Sequence, residues 1–186
     1  QALALAMDYE WMNRQLFYGA YSRVQGIFGN TDCQASGLQK NGLPYPPPHG
    51  AELALLAPYR KQLPAAVFGT GYLAPRTDTP AGLRGNLRLA QALLHAAGWR
   101  LGADNILRNA QGQKLELEYL DSGEASMRTV TPWARNLAKL GIVLSIRPTD
   151  FALYQARLQT FDFDMTTIAY GGSLNPGQEY AEIFGS

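Results

Sequence analysis

Two pairs of carboxylates stand two residues apart, Glu116 with Glu118 and Asp162 with Asp164. Such pairs can divide general acid and general base roles between them. Leu115, Leu117 and Tyr119 alternate with the first pair, and Phe161, Phe163 and Met165 with the second. A period of two places the carboxylates on the wet face of a strand, so acid/base catalysis is not the reading. Cys33 is the sole cysteine and lies in Thr31-Asp32-Cys33-Gln34, with no histidine near it in sequence to serve as a base. Together with His49 and His95, the only imidazoles, it leaves too little for a zinc site, and neither a metal nor a cofactor is expected. The glycines at 69 and 71, and at 171 and 172, are not followed by a Gly-Lys-Ser or Gly-x-Gly-x-x-Gly pattern, so no phosphate cradle is readable.

One segment has binding rather than catalytic potential. Gly171 and Gly172 expose backbone amides and carbonyls, Ser173 and Asn175 add short polar groups around Leu174, and Tyr170 adds an aromatic wall. Such a surface can hydrogen-bond a peptide or amide ligand along its main chain without demanding particular side chains. An ordinary turn has the same spacing.

The chain that must hold this loop has 186 residues, 46% of them apolar, enough for a core that buries roughly two thirds of the unfolded surface without disulfides. Sixteen basic residues against 15 acidic ones give a formal charge of +1. The basic residues are scattered, which argues against nucleic acid or an anionic membrane surface as a partner. No apolar run reaches the roughly twenty residues of a membrane span. The sequence opens on Gln1-Ala2-Leu3-Ala4-Leu5 without an initiator or basic leader and reads as a fragment.

Helical spacing of Leu3, Ala6, Met7 and Trp11 predicts an amphipathic first helix ending at Gly19. Eight of the eleven prolines fall between Pro44 and Pro80, so residues 19–82 read as an irregular Pro/Gly-rich segment that wraps a surface, interrupted by a short helix from Ala51 to Ala57. Asn86 as N-cap and Gly98 as a left-handed stop predict a helix over 87–97. Asn109-Ala110-Gln111-Gly112 reads as a turn before the strand carrying Glu116. A helix over about 127–140 follows, stopped by Gly141, with Pro132 implying a start near Thr131 or a kink. Val143 to Ile146 reads as a short, nearly continuous apolar strand, Asp150 as the cap of a helix carrying Phe151, Tyr154 and Leu158, and Phe161 to Met165 as a third strand. Strand, helix and strand at this spacing predict a right-handed crossover and a parallel pair. The fold class is therefore α/β, a small mostly parallel sheet flanked by helices, with the 170–177 loop at the carboxyl end of a strand, where open sheets hold ligands.

Several segments, kept in order over nearly the whole chain, resemble one family. Gln1 to Glu10 resembles the opening of the second lobe in family 5 extracellular solute-binding proteins of ABC importers. Ala92-Leu93-Leu94-His95-Ala96-Ala97-Gly98-Trp99, Leu140-Gly141-Ile142-Val143 and Phe161-Asp162-Phe163-Asp164-Met165 are similar to that family's helix end, strand entry and third strand. Leu16 to Tyr21, Ala35-Ser36-Gly37-Leu38 and Ser173 to Glu179 look most like the Yej-type members, which are associated with microcin C and with peptides or muropeptides. The resemblance implies a type II periplasmic binding-protein lobe, with residues 1–186 as the second of two lobes and 171–186 starting the return toward the first. It implies a monomeric periplasmic receptor that closes over a peptide or peptide conjugate and delivers it unchanged to permease subunits in the inner membrane. In dipeptide and oligopeptide binders an aspartate after the third strand meets the ligand's ammonium group. The matching stretch Gly171-Gly172-Ser173-Leu174-Asn175 has no carboxylate. Asp121 and Ser122 after the first strand, and Arg128 near the next helix start, match the region that reaches the other end of the ligand. The rival expectations are a hydrolase of cell-wall fragments and a protein-interaction module.

Overall fold

The computed structural model describes residues 1–24, 26, 46–70, 73–123, 126–169, 174, 175 and 177–185. Cys33, the Ala35 to Leu38 motif and Tyr170, Gly171, Gly172 and Ser173 of the loop lie outside the described residues. In chain order the elements are α1 (Ala2–Leu5), α2 (Tyr9–Phe17), α3 (Gly50–Leu56), α4 (Gly82–Ala96), β1 (Arg100–Leu101), β2 (Leu107–Arg108), β3 (Glu116–Asp121), α5 (Met127–Ala138), β4 (Val143–Pro148), α6 (Phe151–Gln159), β5 (Met165–Thr166) and α7 (Gln178–Phe184). Contacts divide the chain into one unit of Gln1–Tyr21 with Pro75–Ala169 and a second of Ser22–Ala74 with Tyr170–Ser186.

The first unit holds a three-stranded sheet in the order β4-β3-β5, parallel throughout. Glu116 lies opposite Val143 and the register runs to Asp121 opposite Pro148, while Tyr119 and Leu120 face Met165 and Thr166 on the other side. The two crossovers move in opposite directions across β3, so right-handed connections set α5 and α6 on opposite faces. Leu120 and Leu137 are fully buried, and Leu137 joins Ala6, Ala90, Leu94, Leu107, Leu140 and Ile142 in one core. Two polar hooks tie the chain start to α5: Trp133 Nε1 donates to the Leu3 carbonyl at 3.0 Å, and Asn136 Nδ2 donates to that of Ala6 at 3.0 Å.

Several expectations need correction. The first helix is two helices, because Asp8 breaks the run and caps α2 by accepting from the Trp11 amide at 3.2 Å. The helix expected from 87 begins at Gly82, whose amide donates to Thr79 Oγ1 at 3.1 Å. Asn86 lies inside it and instead donates to the Arg76 carbonyl at 2.9 Å. Helix α5 starts at Met127, within the expected 127–140, and Pro132 sits in its interior, so of the two expectations for Pro132 only the start near Thr131 falls. The third strand shrinks to two residues: Phe161 adopts a left-handed φ of +54° just past α6 and is 83% exposed. The short antiparallel pair of β1 with β2 and the helix α7 had no counterpart in the sequence pattern.

Other signals hold. Asp150 caps α6 through the Leu153 amide at 2.9 Å. Asn109 Oδ1 accepts from the amides of Gln111 at 3.0 Å and Gln113 at 2.9 Å to form the expected turn. Gly141 takes φ +83°, and a Cβ there would lie 2.6 Å from Leu101 Cδ1 and 2.8 Å from the Asn105 carbonyl oxygen.

The second unit contains α3, 3₁₀ turns at Ala57–Tyr59 and Ala65–Phe68, and α7. Within it the Arg60 guanidinium lies 4.1 Å above the centre of the Phe68 ring, a cation–π contact that keeps the charge over an apolar surface.

Candidate functional site

A parallel sheet whose crossovers diverge opens a crevice at the carboxyl ends of its strands, because the chain leaves neighbouring strands toward opposite faces. In the first unit that point lies between the ends of β3 and β4, where Asp121 pairs with Pro148. The Asp121 carbonyl accepts from the Thr149 amide at 2.9 Å and from Thr149 Oγ1 at 3.2 Å, which locks the two strand ends together. Its side chain is buried, with the residue 6% exposed. Oδ1 accepts from the Ser126 hydroxyl, and Oδ2 has no hydrogen-bond partner among the described residues. Ser126 stands at the N-cap of α5 but spends its hydroxyl on Asp121 instead of on the helix amides.

Ser122 follows and is exposed. Arg128, in the first turn of α5, is also exposed, and its NH2 donates to the Leu16 carbonyl at 3.2 Å while the guanidinium lies 5.8 Å from the centre of the Phe17 ring. Phe17 in turn meets Tyr21 edge-on at 4.8 Å, and the Asn13 side chain holds the Tyr21 backbone by two bonds of 2.7 and 3.1 Å. Asp121, Ser122 and Arg128 are thus positioned by one unit. Leu174 and Asn175 belong to the other and are exposed there. Ser126 and Thr149 were missed by sequence reasoning. Their signals were a serine just before a helix and a threonine just after a strand, both common cap and turn positions.

Of the two carboxylate pairs, Glu116, Asp162 and Asp164 are exposed, as the alternation predicts. Glu118 is not simply solvent-facing: its side chain is 22% exposed and receives Arg147 Nε at 2.9 Å and Arg157 NH2 at 2.5 Å. Arg157 Nε also donates to Asp162 at 2.9 Å, and hydrogen bonding to Glu118, seconded by Asp162, holds its guanidinium above the ordinary value. Asp164 accepts from the Glu118 amide at 2.7 Å and so extends the ladder where β5 has not yet begun. Glu118, Arg157, Asp162 and Asp164 line a cavity of about 330 Å³ with Phe161 and Phe163. Its aspartates precede β5, at the opposite end of the sheet from Asp121, and each carboxylate there already has a described donor. A second cavity of about 320 Å³, between Asp8, Trp11, Arg135, Asn136 and Lys139, uses Asp8 as a helix cap and Asn136 as a hook to Ala6.

Among the described residues no group of three His, Cys, Asp or Glu side chains could hold a metal ion, and no helix is long and apolar enough to cross a membrane.

All 186 residues match the family model described as bacterial extracellular solute-binding proteins, family 5 Middle. The probable peptide-binding protein YejA of Agrobacterium fabrum (strain C58 / ATCC 33970) is 38% identical over 186 residues, which is 100% of this chain and 29% of that relative. The peptidoglycan-binding protein YepA of the same bacterium is 32% identical over 179 residues, covering 96% of this chain and 28% of the relative. Among solved structures, the oligopeptide-binding protein AppA from Bacillus subtilis in complex with a nonapeptide is similar with a TM-score of 0.56 and 19% identity, over 97% of this chain and 29% of that one. The chain therefore spans less than a third of the length of the proteins it matches.

Proposed function

This chain belongs to the bacterial extracellular solute-binding proteins of family 5 and has the type II periplasmic binding-protein fold, and from that premise we propose that it forms the second lobe of a two-lobe receptor capturing peptide-like ligands for an ABC importer. The observation that carries the proposal is the end-to-end identity of 38% with a protein named as a probable peptide-binding protein. The fold supports it, since the sheet ends at a divergence of crossovers, the place where open α/β sheets present backbone and polar groups to a ligand.

In this reading Asp121, Ser122 and Arg128 contribute polar contacts, and the segment Tyr170, Gly171, Gly172, Ser173, Leu174 and Asn175 contributes main-chain hydrogen bonds and an aromatic wall. Residues 1–186 act as one lobe, with 171–186 leading back toward its partner lobe. The receptor works in the periplasm as a monomer, releases its ligand unchanged to permease subunits in the inner membrane, and uses no cofactor. Affinity comes from water expelled as the lobes shut, and orientation from a few fixed polar groups. A carboxylate-free 171–175 loop suits ligands whose ends are covered, such as muropeptides or a peptide conjugate like microcin C, and the 32% identity to a protein named as peptidoglycan-binding favours the cell-wall class as a second ligand arm.

Titration calorimetry on the complete receptor, with a pool of synthetic di- to pentapeptides in one arm and muramidase-digested peptidoglycan in the other, tests the proposal. One-to-one binding with ligand recovered intact is the expected result. Heat from neither arm, or steady product release, would overturn it.

A further inference from the structure

We propose that the far half of α5 carries a second site, a pocket for a small carboxylate borne on a flat apolar body; the inference goes beyond the receptor reading and does not depend on it. Pro132, Arg135, Asn136 and the C-cap Lys139 follow helical spacing and share one face of α5. Between that face, Asp8 and Trp11 at the start of α2, and Leu83 on α4 lies the cavity of about 320 Å³, all within the first unit. Arg135 and Lys139 stand roughly two and three helical turns beyond Arg128, so the pocket is separate from the strand end at Asp121.

Asp8 Oδ1 already accepts from the Trp11 amide and the Thr77 hydroxyl. Asn136, 7% exposed and hooked to the Ala6 carbonyl, accepts from Lys139 Nζ at 2.9 Å, so a buried amide that cannot turn away holds the ammonium group at the pocket. Among the described residues Arg135 forms no hydrogen bond or ion pair, and Lys139 forms no ion pair, with Asp8 or any other carboxylate. Like charges at i and i+4 repel. An oxyanion set between them removes that repulsion and engages the planar guanidinium fork. The remaining wall is apolar, Pro132 and Leu83 with a Trp11 that is 40% exposed, and an indole face takes a flat ring by stacking. Two cations against the single Asp8 carboxylate leave the lining at +1, a charge that one carboxylate neutralises and a doubly charged phosphate exceeds. The volume is at the low end of the roughly 300–1,000 Å³ of ligand pockets, room for one ring and its acid group but not for an oligopeptide.

The test titrates the complete protein by NMR with benzoate, and with benzamide and acetate, which lack the charge and the ring respectively. Benzoate is expected to bind about tenfold tighter than either control, and Arg135→Gln or Lys139→Gln, both at exposed positions, to weaken benzoate by about tenfold while leaving benzamide unchanged. In isotope-labelled wild type, the indole N–H resonance of Trp11, identified by its loss in Trp11→Phe, is expected to shift with benzoate and not with benzamide. Absence of benzoate binding, equal binding of benzoate and benzamide, benzoate affinity untouched by both charge variants, or a Trp11 resonance unmoved at saturating benzoate each overturns the site. Phenyl phosphate binding more tightly than benzoate overturns the carboxylate assignment. Should a charge variant fail to fold by circular dichroism, the wild-type comparison and the Trp11 resonance decide. None of these measurements uses a peptide, so the receptor reading stands or falls apart from them.

Discussion

Asp78 receives Arg76 Nε at 2.9 Å and NH2 at 2.6 Å, a bidentate pair of fixed geometry. The hydrogen bond from Arg76 holds the Asp78 carboxyl below the ordinary carboxylate range, and Arg108 does the same for Asp104. A carboxyl whose folded pKa is depressed gives stability that is complete above its unfolded value, near 4, and that disappears as the pH falls through the folded value. Side chains 48% and 34% exposed share their charge with water, so the Arg76 to Asp78 pair contributes at most about 1 kcal/mol. Asp78→Asn is therefore expected to lower the melting temperature at pH 7 by no more than about 4 °C and to leave it unchanged near pH 2. Scanning calorimetry of both proteins at the two pH values checks this, and an undiminished difference at pH 2 would show that packing, not charge, matters there. The same residue-level chemistry explains where pattern reading fell short. The alternation of Asp162 and Asp164 with apolar neighbours is real, but Phe161 turns left-handed at φ +54° and its ring goes to solvent. What the two aspartates bind, Arg157 in the helix just before and the Glu118 amide far away in the chain, are partners that a period of two does not encode.

Elements were legible where one residue type is nearly forced. Asp150 offered the cap of α6, and Gly141 the stop before β4, because few other residues serve those positions. The boundary of α4 was not legible, since Asn86 is as good a cap in isolation as it is a hook to the Arg76 carbonyl in place. A glycine comparison isolates how tertiary contact adds to backbone preference. Gly141 and Gly112 both have positive φ, +83° and +79°, but a Cβ at Gly112 meets nothing within 4 Å, whereas at Gly141 it approaches the Asn105 oxygen to 2.8 Å and the Leu107 nitrogen to 3.2 Å. Gly112→Ala is expected to cost about 1 kcal/mol from backbone strain alone, and Gly141→Ala at least about 2 kcal/mol because the β1–β2 connection must shift as well. Urea unfolding of the two variants gives the ranking, and equal midpoints would mean that the close approach around Gly141 carries no weight. Leu120, fully buried in the central strand, sets the upper end of the scale: Leu120→Ala should lose about 2–5 kcal/mol.

At the scale of the whole molecule, spacing alone yielded a small parallel sheet and a ligand-prone strand end; the proposal of a lobe with a partner rests only on the family. The physical reason is that the proposed two-lobe receptor would do its work between two bodies, and this chain spans 29% of the length of the Agrobacterium fabrum relative. A receptor that shuts over its ligand makes a contact network neither lobe can offer alone, and binding must offset about 4–15 kcal/mol of lost translational and rotational freedom before any affinity appears. The complete receptor, given a retained peptide at a hundred times its dissociation constant, should gain about 2.7 kcal/mol against urea. Small-angle scattering should show its radius of gyration falling in the same titration as the lobes approach. Stabilisation without contraction would mean that one lobe holds the ligand unaided. In that case the residues at the end of β3, Asp121 foremost, would have to supply the whole site, a load that one buried carboxylate, one exposed serine and an arginine already bonded to the Leu16 carbonyl are poorly placed to carry.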